Sequence, residues 1–198
     1  MKMILASQSP RRHALLRRLN YPFDVILPDV DESLLTLDRN PEQYCICQAE
    51  MKAKEISQYY PHALVIGADT VVVLEAKILN KPADYAQAKN MLEMLSGKTH
   101  QVFTGICLKW IEHNIQHTFA EATRVTFRKL DQVDILHYLK TCPPFDKSGS
   151  YGIQDWSAVF VKNIQGCYDN VVGFPLSKFY HELKMMGINL LDSISESS

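Results

Sequence analysis

Nothing in the sequence staples the chain, anchors it in a membrane or marks it for nucleic acid. Its cysteines are an odd set (Cys45, Cys47, Cys107, Cys142, Cys167), and none stand in a Cys-x-x-Cys pair. A disulfide framework or structural zinc site is therefore not expected, and reduced thiols in a cytoplasmic protein are the simpler reading. The opening apolar run, Met1 to Ala6, stops at Ser7, too soon for the apolar core of a signal peptide. No later stretch approaches the ~20 apolar residues of a membrane span. Lysine and arginine total 21 against 22 aspartate and glutamate, a formal net charge of −1. Nucleic-acid binders present a strongly basic surface, so this balance argues against that class. It leaves room for a local basic pocket around a small anion. The Walker loop Gly-x-x-x-x-Gly-Lys-Ser/Thr is absent, and no repeat, linker or low-complexity block interrupts the chain. What remains is an ordinary globular composition, 46% hydrophobic and 22% charged over 198 residues, long enough to bury most of its unfolded surface without covalent help.

The pattern mixes strands and helices. Residues 3–6 read as a buried strand, and Ser9-Pro10 opens a helix with a serine cap and proline in its first turn. Ala14, Leu15, Leu16 and Leu19 supply its apolar face. Phe23–Leu27 reads as a second strand, and residues 28–40 as an acidic loop with Asp29, Asp31 and Glu32. A helix follows from Pro41 to Gln58. The β-branched run Ala63–Leu74 is the strongest strand signal. Asp84–Leu95 is helical, with Ala88, Met91, Leu92 and Leu95 on one face. Gln101–Ile111 and Ile115–Phe127 read as paired strands around Glu112-His113-Asn114. Asp131–Leu139 reads as a helix, Ala158–Ile164 as a strand and Phe174–Met186 as the closing helix. The fold class is α/β in a mixed α+β form. Residues 1–190 are expected to form one domain, with 191–198 a frayed tail.

Several short constellations carry chemistry. Ser7-Gln8-Ser9-Pro10-Arg11-Arg12 lies between a strand and a helix, where unpaired N–H groups, hydroxyls and guanidiniums suit phosphate. It also reads as an ordinary cap with solvated arginines. Asp69, in Gly67-Ala68-Asp69-Thr70, puts a carboxylate inside an apolar strand. That is costly unless the group is paired, hydrogen-bonded or bound to metal. On a straight strand Asp69 and Thr70 point to opposite faces, so a shared ligand implies a bend or bulge near Gly67. Lys52 falls on the helical stripe 45, 49, 52, 53 and 56, otherwise small or apolar, and either snorkels outward or points into a cleft. Lys81, in Asn80-Lys81-Pro82, reads on spacing alone as a solvated turn lysine. Phe145 to Gln154 is rich in glycine and serine, allowing close backbone approach to a ligand, and the Gln154 amide matches the O–C–N–H edge of uracil or thymine. His113 and His117 flank a hairpin and read as surface residues. Hard oxygens such as Glu32 and Asp69 suit magnesium or manganese better than zinc.

Taken in order, these segments resemble the Maf family of nucleotide pyrophosphatases, the septum-formation proteins. The match runs from Leu5 to about Gly187 and includes Leu5 to Arg12, Gly67 to Val72, Lys81-Pro82, Leu95 to Val102, Asp146 to Gln154 and Asn170 to Leu176. The resemblance implies a curved mixed sheet flanked by helices, with two lobes around a deep cleft, as in inosine-triphosphate pyrophosphatases. It implies a divalent cation (magnesium or manganese), a homodimer and hydrolysis of a nucleoside triphosphate to monophosphate and pyrophosphate. By that resemblance Asp69 is the general base, Ser7, Arg11, Lys52 and Lys81 face the phosphates, and Glu32 with Asp69 holds the metal. Arg12, Thr70 and Gln154 fall where the family sets base preference, in the pattern of the branch acting on dTTP and UTP. The alternatives are a pyrophosphatase for methylated GTP or other modified purines, and a non-catalytic cell-division regulator. The chain departs from the family pattern at Asn80, Pro143 and Asp155. Pro143 stands where an accessory carboxylate is frequent, and the other two alter loop flexibility.

Overall fold

The computed structural model describes residues 1–31 and 40–191. The expected metal ligand Glu32, and all but the first residue of the expected frayed tail, lie outside the described residues. In chain order the elements are β1 (Lys2–Ala6), α1 (Pro10–Arg17), β2 (Asp24–Val25), α2 (Pro41–Tyr59), β3 (Ala63–Leu74), β4 (Lys77–Leu79), α3 (Tyr85–Leu95), β5 (Thr99–Trp110), β6 (Ile115–Phe127), α4 (Gln132–Thr141), β7 (Val161–Gln165), α5 (Tyr168–Val172) and α6 (Leu176–Met185). Short 3-10 turns occupy Ser148–Ser150 and Trp156–Phe160.

Among the described residues the strands form one seven-stranded sheet in the order β2-β1-β3-β5-β6-β7, with β4 paired to β3 off this path. β1 runs parallel to β2 and β3, whereas β3, β5, β6 and β7 are antiparallel in succession. The period-two alternation of β3 sorts its side chains between two cores. Ala63 and Val65 pack with Ala49, Ala53 and Ile56 of α2. Leu64, Ile66 and Val72 face the larger core, which takes Leu15 and Leu16 from α1, Leu92 from α3, Tyr138 from α4 and Phe179 from α6. The sheet is thus covered by α2 on one face and by the other longer helices on the opposite face.

α2 lies unusually close to the sheet. A methyl group on Gly67 would collide with the Ala49 carbonyl oxygen and come within 2.9 Å of the Ala53 nitrogen. One on Gly105 would sit 2.5 Å from the Cys45 carbonyl carbon and the Ile46 nitrogen. Both obstacles are helix backbone, which cannot swing aside as a side chain would. Cys45, Ala49, Lys52, Ala53 and Ile56 are all buried on this helix, so the stripe read from the sequence is its packing face.

The expected elements are present, with differences at their edges. The strand expected over residues 23–27 is reduced to Asp24–Val25, an edge position that lacks a second neighbour to extend it. Of the strand expected from Ala158, the first three residues belong to the 3-10 turn, which Asp155 caps by accepting from the Ser157 N–H at 3.0 Å. The closing helix starts at Leu176, after Gly173 at φ +120° and Pro175 at its cap; the preceding helix α5 is absent from the sequence reading. Ala14 is exposed, so the buried face of α1 is narrower than expected. No helix among the described residues is long and apolar enough to cross a membrane.

Because Gly67 faces rigid backbone, Gly67→Ala is expected to destabilise the fold by about 3 kcal/mol, the upper range for overpacking. A shift of the urea midpoint to lower concentration checks this; an unchanged midpoint would mean that α2 can back away from the sheet at little cost.

Candidate active site

β1 pairs with Ala63–Gly67, and β4 pairs with Val72–Leu74, along the same edge of β3. Between these partners residues 68–71 have a neighbouring strand only on the β5 side. A cleft of about 440 Å3 opens at this gap. The start of α1 borders it where β1 ends, and the loop from Phe145 to Gln154 and Lys81 border it elsewhere.

The open edge explains how neighbouring side chains share one cleft. The β3–β5 register runs unbroken from Val65↔Lys109 to Val73↔Gln101, so the bend or bulge expected near Gly67 is not present in this ladder. Asp69 lies toward α2 and Thr70 toward the opposite face, and both line the cleft because no strand separates the two faces here. On the α2 side, Lys52 Nζ donates to Asp69 Oδ1 at 2.7 Å, with side chains 7% and 13% exposed. On the other side, Arg12 Nη2 donates to Thr70 Oγ1 at 2.9 Å, Nε to the Gly173 carbonyl at 2.9 Å and Nη1 to Ser7 Oγ at 3.2 Å. Thr70 Oγ1 also meets Thr104 Oγ1 at 3.0 Å.

The helix start is built as a cap and stands in the cleft wall. Ser9 Oγ accepts from the Arg12 N–H at 3.4 Å, and Ser7 Oγ accepts from the Ser9 N–H at 3.2 Å. Arg11 reaches across to the far loop, where Nη1 donates to Asp146 Oδ2 at 2.8 Å. The other Asp146 oxygen accepts from Lys147 Nζ, also at 2.8 Å. Burial works to raise the Asp146 pKa, but hydrogen bonds from Lys147 and Arg11 outweigh it and hold the carboxyl below its usual range. The Ser148 hydroxyl donates to the Thr70 carbonyl at 2.8 Å and covers part of the open strand edge. Gly149, at φ +68°, has no room for a methyl group, which would come within 2.9 Å of every Val72 side-chain carbon.

Ser7, Arg11, Arg12, Lys52, Asp69, Thr70, Lys81 and Gln154 thus all line one cleft. Lys52 points inward rather than snorkelling, and Lys81 is exposed but borders the cavity. Gln154 is exposed at the rim, and its amide makes no hydrogen bond among the described residues. Val72, Val102, Tyr151, Ile153 and Val172 give the cavity an apolar side. Asp146 and Lys147 carried no role in the sequence reading; the partner that reveals them, Arg11, is 135 residues from Asp146. Cys45 is no nucleophile, since burial and the nearby Asp69 charge push its thiol well above the usual range. Among the described residues no three His, Cys, Asp or Glu side chains gather as a metal site. Asp69 is the described carboxylate held at the open strand edge in this cleft.

A family model described as Maf-like protein matches residues 2–186. A Bacillus cytotoxicus protein named dTTP/UTP pyrophosphatase is 45% identical over 183 residues, 92% of this chain and 94% of that protein. A Carboxydothermus hydrogenoformans protein of the same name is 41% identical over 187 residues, 94% of this chain and 100% of that protein. A Geobacillus protein, again of that name, is 45% identical over 186 residues, 94% of this chain and 98% of that protein. Among solved structures, the Staphylococcus aureus Ham1 protein has a TM-score of 0.46 at 14% identity, covering 64% of this chain and 72% of that one.

Proposed function

The chain belongs to the Maf-like protein family, and from that premise we propose that it is a nucleoside triphosphate pyrophosphatase acting on dTTP and UTP. The observation that carries the reading is the Lys52–Asp69 pair, 2.7 Å apart at an open strand edge, with the Arg11 and Arg12 helix start in the same cleft. Relatives across most of the chain bear the name dTTP/UTP pyrophosphatase.

In this reading a water oxygen attacks the α-phosphorus and Asp69 takes its proton. The bond from the α-phosphorus to the bridging oxygen breaks, leaving nucleoside monophosphate and pyrophosphate. Lys52 engages one Asp69 oxygen, so the other is the one we assign to the water. A triphosphate repels its nucleophile, and Ser7, Arg11, Lys52 and Lys81 offset that repulsion. Ser7 follows β1, Arg11 lies in the first turn of α1, Lys52 on α2 and Lys81 between β4 and α3, so the phosphate chain would be held from several sides. Arg12 and Thr70, already joined by a hydrogen bond, would frame the sugar or base, and Gln154 would read the base edge.

This reading also includes a magnesium or manganese ion, with Asp69 and Glu32 as the residues that would hold it. Such cations take hard oxygens and keep waters and substrate phosphates as remaining ligands, so few protein carboxylates are needed; the other described carboxylate lining the cleft, Asp146, is paired with Arg11 and Lys147. When bound, the ion would supply positive charge to the phosphate oxygens. The same reading makes the protein a cytoplasmic homodimer, and its five free thiols agree with a reducing compartment.

Asp69→Asn is nearly isosteric but is a far poorer base. Turnover is expected to fall at least ~10²-fold; near-normal rates in the folded variant would remove Asp69 from this role. Exhaustive chelation is expected to abolish pyrophosphate release, and added magnesium or manganese to restore it. Full activity in the chelated protein would exclude the ion. Gln154 can accept from N3–H of uracil or thymine and donate to an adjacent carbonyl, whereas cytosine lacks that proton. A buried unpaired group costs ~1–3 kcal/mol, so uracil and thymine nucleotides are expected to be favoured roughly 5- to 150-fold. Turnover of dTTP, UTP, CTP and GTP by the native protein and Gln154→Glu checks this. Equal kinetics on all four nucleotides, or an unchanged preference in the variant, would show that Gln154 does not select the base.

A further inference from the structure

His100 has no part in the chemistry above, yet it is a polar side chain in the centre of the core, 2% exposed. It sits near the start of β5, and its ring stands edge-on to Phe127 at 4.9 Å and to Tyr151 at 5.4 Å between centroids. Phe127 and Tyr151 also pack edge-on, at 4.8 Å. Packing alone would accept a phenylalanine here. The imidazole adds one hydrogen bond, between Nε2 and the Tyr151 hydroxyl, 2.8 Å apart. Its Nδ1 is buried and finds no partner among the described residues. Burial lowers the pKa of His100 to about 4, so the ring is neutral at neutral pH. Keeping a polar ring buried with one nitrogen unsatisfied is costly, and the bond to Tyr151 is its visible return.

Tyr151 lines the cleft and begins the segment that ends at Gln154. That segment is fixed through its backbone. Ser157 Oγ donates to the Gly152 carbonyl at 2.8 Å and accepts from the Gly152 N–H at 3.2 Å. The Asp155 N–H donates to the same carbonyl at 2.9 Å. A methyl group on Gly152 would come within 2.9 Å of the Lys147 side chain, so the loop lies directly on that lysine. The Gln154 amide has no protein partner among the described residues. Its aim toward a ligand is therefore set by the backbone that carries it; Tyr151 and Ile153 are buried in the core, and Tyr151 adds a polar tie there through His100.

We propose that His100 is a positioning residue for base recognition, holding Tyr151 so that the Tyr151–Gln154 segment presents the Gln154 amide to the base. The proposal rests on the reading of Gln154 as the base-selecting group. His100 touches no substrate; it acts through Tyr151.

The test is the ratio of kcat/KM for UTP over CTP in Tyr151→Phe and in the double variant His100→Phe/Tyr151→Phe. The double variant removes both polar partners while keeping aromatic packing, so neither is left unpaired in the core; thermal melting confirms the fold of each. Gln154→Glu is measured beside them. The ratio is expected to fall at least ~5-fold in both, through a raised KM for UTP with kcat on UTP within about 2-fold of native. A change in the ratio for Gln154→Glu, with a native ratio in a folded Tyr151→Phe protein, would overturn the proposal and leave the base-reading assignment standing. Equal losses on both nucleotides would also overturn it, since a general packing role does not discriminate between bases. A native ratio in all three variants would remove the base-reading assignment and this proposal together. If the double variant fails to fold, Tyr151→Phe alone decides.

Discussion

The cleft depends on α2 lying flush against β3 and β5, an approach that Gly67 and Gly105 make possible. Side chains at those positions would force the helix outward. With the helix in place, Lys52 lies buried on its packing face, and its ammonium meets the Asp69 carboxylate where that strand is open. Neither charge would be tolerated alone at this depth, since an unpaired buried ion costs several kcal/mol. Each therefore supports the other at this depth. The pair needs a helix and a strand separated by two backbone contacts with no room for a Cβ.

The second constraint is the interrupted edge of β3. Had β1 continued past Ala6, its side chains would have walled Asp69 off from Thr70. Had β4 begun earlier, the same would hold from the other end. With residues 68–71 left open, one strand delivers consecutive side chains to one cavity from opposite faces. The two faces carry different chemistry. The α2 face contributes a charged pair. The opposite face contributes the Arg12–Thr70–Thr104 hydrogen bonds and apolar side chains such as Val102 and Val172. An edge left without a strand exposes backbone groups, and Ser148 answers that by donating to the Thr70 carbonyl.

How far the sequence foretold this follows from how local each signal is. β3 has the bounds that its β-branched run suggests, and α3 buries Ala88, Met91, Leu92 and Leu95 as its periodicity requires. The Lys52 stripe was legible for the same reason: side chains on one helix face are related by spacing alone. The sequence could not show whether Lys52 turned inward, because that depends on Asp69 and on glycine positions in two other elements. The Asp146 bridge between Arg11 and Lys147 was hidden by separation along the chain. The absence of a bulge at Gly67 was hidden too, since the solution lies in where the neighbouring strands stop. The 3-10 turn at Trp156–Phe160 replaced expected strand because Asp155, a departure from the family pattern, caps it. That aspartate also accepts from the Tyr138 hydroxyl at 3.3 Å, so it restrains the loop.

The described residues set up the two ends of the cleft by opposite means. At the charged end, Arg11 is held by Asp146, and Lys52 by Asp69. Long cationic side chains lose roughly 2 kcal/mol of rotamer freedom when ordered; here much of that ordering precedes any ligand. The carboxylates that order them also compete with an incoming anion, so the net attraction is a difference between partners rather than the full charge of the arginine and lysine. A ligand must offer more than a single carboxylate does, and a chain of phosphates spanning both cations meets that requirement where a lone anion does not. At the rim, the Gln154 amide is unpaired among the described residues while its backbone is fixed. An amide in water loses nothing until a ligand desolvates it, and from then on every group left unmatched counts against that ligand. Pre-pairing sets a threshold on charge, and an open amide on a fixed backbone sets a penalty on mismatch. Any discrimination by that amide depends on how firmly its backbone is held, and so on the core residues beneath it as much as on Gln154 itself.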